Sequence, residues 1–187
     1  MATPGAPDAL IPPGTAVAVP VWDLGVRLFH WSLVVCVALN SLVLEEGKDA
    51  HQWVGYAAFG LVWARVLWGF VGSRHARFAA FFPTPSRVWR QLSALRRGHV
   101  QAYVGHSPLG AVMMLTLMAL VLALGVTGWM QGLDAYFGEE WLQELHEALA
   151  TLLWICVGLH VLAALLLGRL ERVGLVRAMV TGVKRSR

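Results

Sequence analysis

The sequence predicts an all-α integral membrane protein, a bundle of four crossing helices, and three observations carry that reading. First, 57% of the 187 residues are hydrophobic and only 14% are charged, with a mean hydropathy well above zero. A water-soluble domain of this length does not sustain such a balance. Second, four stretches approach or exceed the roughly 20 apolar residues that one helical crossing of a hydrocarbon core needs. They run from about Leu24 to Leu44, His51 to Gly72, Pro108 to Met130 and Glu144 to Gly168. Third, the charges are segregated into the connections and the ends.

The positive charges set the orientation. Arg74, Arg77, Arg87, Arg90, Arg96 and Arg97 lie between the second and third crossings, and Arg169, Arg172, Arg177, Lys184, Arg185 and Arg187 follow the fourth. Those segments are expected in the cytoplasm. The other two connections are short and acidic, with Glu45, Glu46, Lys48 and Asp49, then Asp134, Glu139 and Glu140, and are expected outside. Both termini then face inward, in a bacterial cytoplasmic (inner) membrane. The formal net charge of +4 belongs to this arrangement, and no basic aromatic stripe suggests a nucleic-acid partner.

Residues 1–20 contain five of the eight prolines and no basic leader, so they are expected to form a loose cytoplasmic tail instead of a signal peptide or helix. The first crossing opens at VWDLGVRLFHW, where Asp23 can cap, Trp22 and Trp31 suit an interface and Arg27 can snorkel. The second, HQWVGYAAFGLVWARVLWGFVG, carries Gly55, Gly60 and Gly69. These bare positions suit either close helix contact or a flat cofactor against the backbone. In the loop that follows, Ser86 behind Pro85 is a candidate N-cap, and Val88, Trp89, Leu92 and Leu95 recur at helical spacing among arginines. That pattern predicts an amphipathic helix on an anionic leaflet, with His75 and His99 solvated nearby. Pro108 in GHSPLG suits the first turn of the third crossing. Met113, Met114 and Met118 read as fillers, and Cys36 and Cys156, inside apolar segments, read as packing residues. The domain proper spans residues 21–182, followed by a basic tail at residues 183–187.

The histidines point to chemistry. His146 and His160 lie fourteen residues apart on the fourth crossing, with no charge after Glu147 until Arg169. Fourteen helical residues turn through ~1400°, about 40° short of four turns, and rise ~21 Å, so both imidazoles leave one face at different depths. Ionisable groups at such depth are rare and mark function. Counted inward from Glu147 and Glu45, His160 and His30 lie 13 and 15 residues deep, which is ~20 and ~22 Å. His51, just after Asp49, and His146, beside Glu147, share the outer level. Two pairs at two levels result. Two histidines underfill a structural zinc site, whereas a haem iron, held by its own macrocycle, takes two axial ligands. The residues therefore suggest two b-type haems between helices of a bundle. Arg65, level with His30 and His160, can pair with a haem propionate, and so can Arg27 if it turns inward. His106, at the inner end of the third crossing, is a candidate propionate or quinone contact or a cap.

The motifs VWDLGVRLFHW, HQWVGYAAFGLVWARVLWGFVGS, GHSPLG and ELHEALATLLWICVGLH resemble the bacterial cytochrome b561 family, related to the b-type cytochrome subunits of nickel-iron hydrogenases and formate dehydrogenases. The resemblance covers nearly the whole chain, from about Val21 to Gly182. It implies a four-helix membrane bundle with two bis-histidine haems, His30 pairing with His160 and His51 with His146. The family commonly has asparagine where Ser107 stands.

The function expected is transmembrane electron transport, as in a respiratory chain, between an extracytoplasmic partner, such as a periplasmic cytochrome c or a dehydrogenase subunit, and ubiquinone in the lipid. The short outer turns leave little surface for a large dehydrogenase. Two other readings compete. The resemblance also admits a superoxide:quinone oxidoreductase, which steady-state superoxide consumption would reveal. A haem-free, histidine-lined transporter would show metal flux without haem absorbance, but its crossings lack the carboxylates that divalent cations favour.

Overall fold

The computed structural model describes residues 10, 18–73, 76–171 and 173–185. Arg74, His75, Arg172, Arg187 and residues 1–9 and 11–17 of the expected tail lie outside the described residues. Among the described residues the chain is helical apart from two three-residue strands, with its α-helices and strands in the order β1 (Ala18–Pro20), α1 (Leu24–Leu42), α2 (Asp49–Val71), α3 (Pro85–Arg96), α4 (Pro108–Gln131), α5 (Glu140–Leu170), α6 (Leu175–Thr181) and β2 (Val183–Arg185). Among the described residues, α1, α2, α4 and α5 are long and apolar enough to cross a membrane, and they fall on the four predicted stretches. Many of their large side chains have no protein cover: Leu42 is 71% exposed, Val71 78% and Trp53 72%. In water such surface is untenable; in lipid it is the solvated face.

Contacts divide the chain into two compact units, and all four long helices contribute residues to both. The first comprises Met1–Arg27, Leu67–Met114 and Leu159–Arg187. Asp23 is its hub. One carboxylate oxygen accepts the Val26 N–H at 2.8 Å, the expected cap on α1. The other accepts the Trp68 indole N–H at 3.3 Å and the Ser73 hydroxyl. Thus one carboxylate ties the start of α1 to the end of α2.

The start of α4 is equally well satisfied. Ser107 caps it through a 3.1 Å bond from the Gly110 N–H, Pro108 has no N–H to satisfy, and Gln91 of α3 accepts the Leu109 N–H at 2.9 Å. Three orphan positions of a helix N-terminus are thereby accounted for. Gln91 and Ala94 form the buried face of α3. One expectation for that helix is corrected. Its N-cap is Thr84, without a side-chain cap bond, and Ser86 lies inside the helix; Pro85 occupies the first position, where a missing N–H costs nothing. Trp89 is 63% exposed.

Ala18, Val19 and Pro20 pair antiparallel with Arg185, Lys184 and Val183, so the last three residues of the expected N-terminal tail form a strand with the basic segment that follows α6. Leu10 forms an isolated bridge to Tyr103. Gly182 makes the pairing possible. It closes α6 in the left-handed conformation at φ 82°, and a Cβ there would lie 2.7 Å from the Trp22 carbonyl oxygen, so only glycine fits.

The second unit comprises Leu28–Val66 and Leu115–Gly158. Its interior includes Ala58, Val62, Met118, Leu120, Val121, Leu142 and Leu153, contributed by α2, α4 and α5. Gly125 of α4 packs directly on the Phe59 ring of α2, the close approach that glycine allows between membrane helices. Met118 is the buried filler predicted for it; Met113 and Met114 are half-buried.

Candidate functional site

The site is built from the second unit. His51 is the third residue of α2 and His146 lies in the second turn of α5; both are half-buried. Their ring centroids are 6.5 Å apart and the planes meet at 60°. A metal–imidazole bond is about 2 Å and a ring centre sits roughly 1.1 Å behind its nitrogen, so two imidazoles on opposite sides of one metal have centres about 6 Å apart. The observed spacing therefore fits a single intervening iron. No group of three or more histidine, cysteine or carboxylate side chains placed to hold a metal occurs among the described residues. A pair suits an iron whose other four positions come from a macrocycle.

Each histidine has a polar neighbour that the sequence reading passed over. The Nδ1 of His146 lies 2.7 Å from the Thr127 hydroxyl, which is itself 3.0 Å from the Ala123 carbonyl oxygen and 3.2 Å from that of Leu124. Thr127, one of two hydroxyl residues on the apolar α4, is only 6% exposed. The His51 carbonyl accepts a 3.1 Å bond from the Asn40 amide. The Nδ1 of His51 and the Oδ1 of Asn40 are buried and make no hydrogen bond. A Cβ at Gly55 would meet the Asn40 amide nitrogen at 3.4 Å, an ordinary contact. Both polar residues were legible as uncharged but hydrogen-bonding side chains within crossings, where such groups need partners.

The other predicted residues are distributed between the units. His30, on α1 in the second unit, sets its ring edge-on to Trp31 at 5.1 Å. Arg65, also in the second unit, is 3% exposed. His160 lies half-buried on α5 in the first unit. Arg27 and His106 also belong to the first unit. Arg27 is not in bulk water: its Nε is buried without a hydrogen bond, and a Cβ on Gly182 would lie 3.3 Å from its Nη1. The His106 ring packs at 4.6 Å centroid distance on both Trp22 and Phe81, an aromatic nest not foreseen from the sequence.

The sequence profile described as prokaryotic cytochrome b561 matches residues 21–182. Among curated proteins, the chain is 27% identical to a Rhodobacter capsulatus protein named "Probable Ni/Fe-hydrogenase B-type cytochrome subunit", over 88% of this chain and 80% of the relative. A Bradyrhizobium diazoefficiens protein of the same name is also 27% identical, over 89% of this chain and 86% of the relative. One from Azotobacter vinelandii is 26% identical over 68% and 65%. No solved structure matches the chain. The chain belongs to the prokaryotic cytochrome b561 family and is a membrane b-type cytochrome.

Proposed function

We propose that this member of the cytochrome b561 family is a transmembrane electron conduit holding two b-type haems, with His51 and His146 as axial ligands of one and His30 and His160 of the other. The observation that carries the reading is the 6.5 Å separation of the His51 and His146 rings. The haem, when bound, supplies an iron that gains and loses one electron at a time. The protein supplies the ligands, the apolar surroundings and compensating charge. Fourteen residues on one continuous helix, α5, separate His146 from His160, so the same backbone fixes a ligand of each centre. Arg27, whose Nε is buried and makes no hydrogen bond, and Arg65, 3% exposed, are the cations assigned to haem propionates; charge-assisted bonds of that kind are the strong ones. Gly55 keeps the backbone bare beside His51. His106, in its nest of Trp22 and Phe81, is assigned to a quinone or propionate contact.

The electrons pass between an extracytoplasmic donor and ubiquinone in the bilayer. The names of the relatives support a nickel-iron hydrogenase as the donor's class, with a periplasmic cytochrome c the simpler alternative given the short outer turns. The arginine-rich segment between α2 and α4 supports a bacterial inner-membrane placement with both termini in the cytoplasm.

The test is haem stoichiometry with a reduced-minus-oxidised spectrum of the purified protein, repeated on His146→Ala and His160→Ala. Two haems per chain, falling to one in each variant with different residual spectra, is the expected result. One haem in the unmodified chain, or a count that His146→Ala leaves at two, overturns the assignment.

A further inference from the structure

The geometry points to Thr127 as the residue that fixes the tautomer and orientation of His146, and thereby tunes the iron that His146 would ligate. This inference rests on the reading of His51 and His146 as an axial pair. Thr127 lies on α4 and is 6% exposed, so its hydroxyl is largely shielded from water and takes its partners from the protein. It has three within reach: the Ala123 carbonyl at 3.0 Å, the Leu124 carbonyl at 3.2 Å and the Nδ1 of His146 at 2.7 Å. A hydroxyl has one proton and two lone pairs. With Nε2 of His146 taken as the ligating nitrogen, the ring proton sits on Nδ1, so the hydroxyl oxygen accepts from His146 and gives its own proton to the preceding turn of α4, as buried helical threonines commonly arrange it.

That assignment leaves Nε2 with its lone pair free, the form an imidazole must take to bind a metal. A bond from the far ring nitrogen to an acceptor also makes the ligating nitrogen a better donor and holds the ring against rotation. Among the described residues His51 has no such support, its Nδ1 being buried without a hydrogen bond. The two ligands of one iron are thus unequal, with His146 the fixed and more basic one. Gly128, where a Cβ would stand 3.4 Å from the His146 Cε1, leaves the ring in ordinary contact with α4 without displacing it. A more basic ligand favours ferric iron, so loss of the Thr127 acceptor makes that centre easier to reduce.

The experiment compares the unmodified protein with Thr127→Val and Thr127→Ser, purified with haem. Valine matches threonine in shape without the hydroxyl, and serine keeps the hydroxyl without the methyl. Redox titration is read at the centre that disappears in His146→Ala, with low-spin ferric EPR as an independent view of ligand orientation. In Thr127→Val the reduced-to-oxidised ratio of that centre at fixed potential rises about fivefold, the worth of one net hydrogen bond, and its EPR signal shifts. Thr127→Ser restores both, and the second centre does not move. Haem lost from that centre in Thr127→Val but kept in Thr127→Ser equally supports the hydroxyl as the group that matters. An unchanged titration and EPR spectrum in Thr127→Val overturns the inference, as does loss of the centre in both variants, which would make the methyl group's packing the requirement. If His146→Ala removes no haem from the protein, the axial-pair reading fails first, on separate data.

Discussion

The ammonium of Lys184 donates to the Tyr103 carbonyl oxygen at 2.7 Å and, beside it, to that of Gly105 at 3.1 Å. Lys184 is in β2 and only 4% exposed, so β2 is pinned to the segment that leads into α4. Burial pushes the Lys184 ammonium down to about 8, the charge of Glu171 holding it up in part. Burial likewise pushes the Glu171 carboxyl up to about 7, against the pull of Lys184.

A pH dependence of definite sign follows. Between the ordinary carboxyl value of 4.5 and about 7, the folded chain keeps a proton on Glu171 that the unfolded chain has shed, so stability falls as pH rises. Between about 8 and 10.5 the unfolded chain keeps a proton on Lys184 that the folded one has shed, so stability rises with pH. Thermal unfolding in detergent should therefore pass through a minimum between the two. Glu171→Gln removes the acidic arm and Lys184→Met the basic arm. A Glu171→Gln profile that superimposes on that of the unmodified chain would show that the carboxyl carries none of it.

Two glycines of the crossings should respond oppositely to alanine. A Cβ at Gly125 would run into the Phe59 ring, whereas a Cβ at Gly60 would meet nothing within 4 Å. Gly125→Ala forces α2 and α4 apart or Phe59 from its rotamer, at a cost of about 1–3 kcal/mol. Gly60→Ala adds helix propensity and gains up to roughly 1 kcal/mol. Equilibrium unfolding in mixed micelles, read by far-UV circular dichroism, separates the two; equal effects would contradict the packing.

What the sequence made legible follows from which forces act alone. The four long helices were read within a few residues because length and apolarity suffice to specify a crossing in lipid, although α5 begins at Glu140, a turn before the predicted Glu144. Asp23 was identified as a cap because the signal is local. The three-residue β1 and β2 were not, because their pairing joins segments more than 160 residues apart with no alternation to announce it. Thr127, Asn40 and Gln91 were missed for a related reason. Each is one uncharged polar residue whose partner lies on another element, and a hydropathy pattern averages it away. The His51 and His146 levels, by contrast, could be counted from acidic helix edges, since both sit within two residues of a carboxylate.

The start of α4 offers a test of shared satisfaction. Ser107→Ala removes one acceptor, from the Gly110 N–H, at a cost of about 1 kcal/mol. Gln91→Leu strands the Leu109 N–H and should cost about 1–3 kcal/mol. The two bonds serve adjacent N–H groups of one turn, so fraying caused by either change reduces what the other can lose. The double variant should accordingly be less destabilised than the sum, by at least about 0.5 kcal/mol on the usual scale of neighbouring couplings. Strict additivity would mean that each side chain acts by itself.

The outward side of α3 should recognise anionic lipid. Gln91 and Ala94 hold the helix by one face, which leaves Trp89 63% exposed with the Arg96 guanidinium 5.9 Å from its ring centroid. Arg90, Arg96 and Arg97 are exposed too, as is Phe82, at 58%. From Ser73 to Gly105 the sequence contains no aspartate or glutamate, so the segment carries basic side chains and no carboxylates of its own. An aromatic flanked by arginines suits the headgroup level, where the ring takes the apolar boundary and each basic side chain gains about 1 kcal/mol from an anionic surface. Arg90→Gln/Arg96→Gln/Arg97→Gln leaves Gln91 and Ala94 in place and should preserve the haem spectrum. In vesicles containing phosphatidylglycerol the unmodified chain should melt several degrees higher than in pure phosphatidylcholine, with the difference shrinking as salt is raised. The triple variant should lose most of that difference. If it keeps the full lipid effect, the anionic leaflet is read elsewhere, and the arginines of α3 serve only to orient the chain.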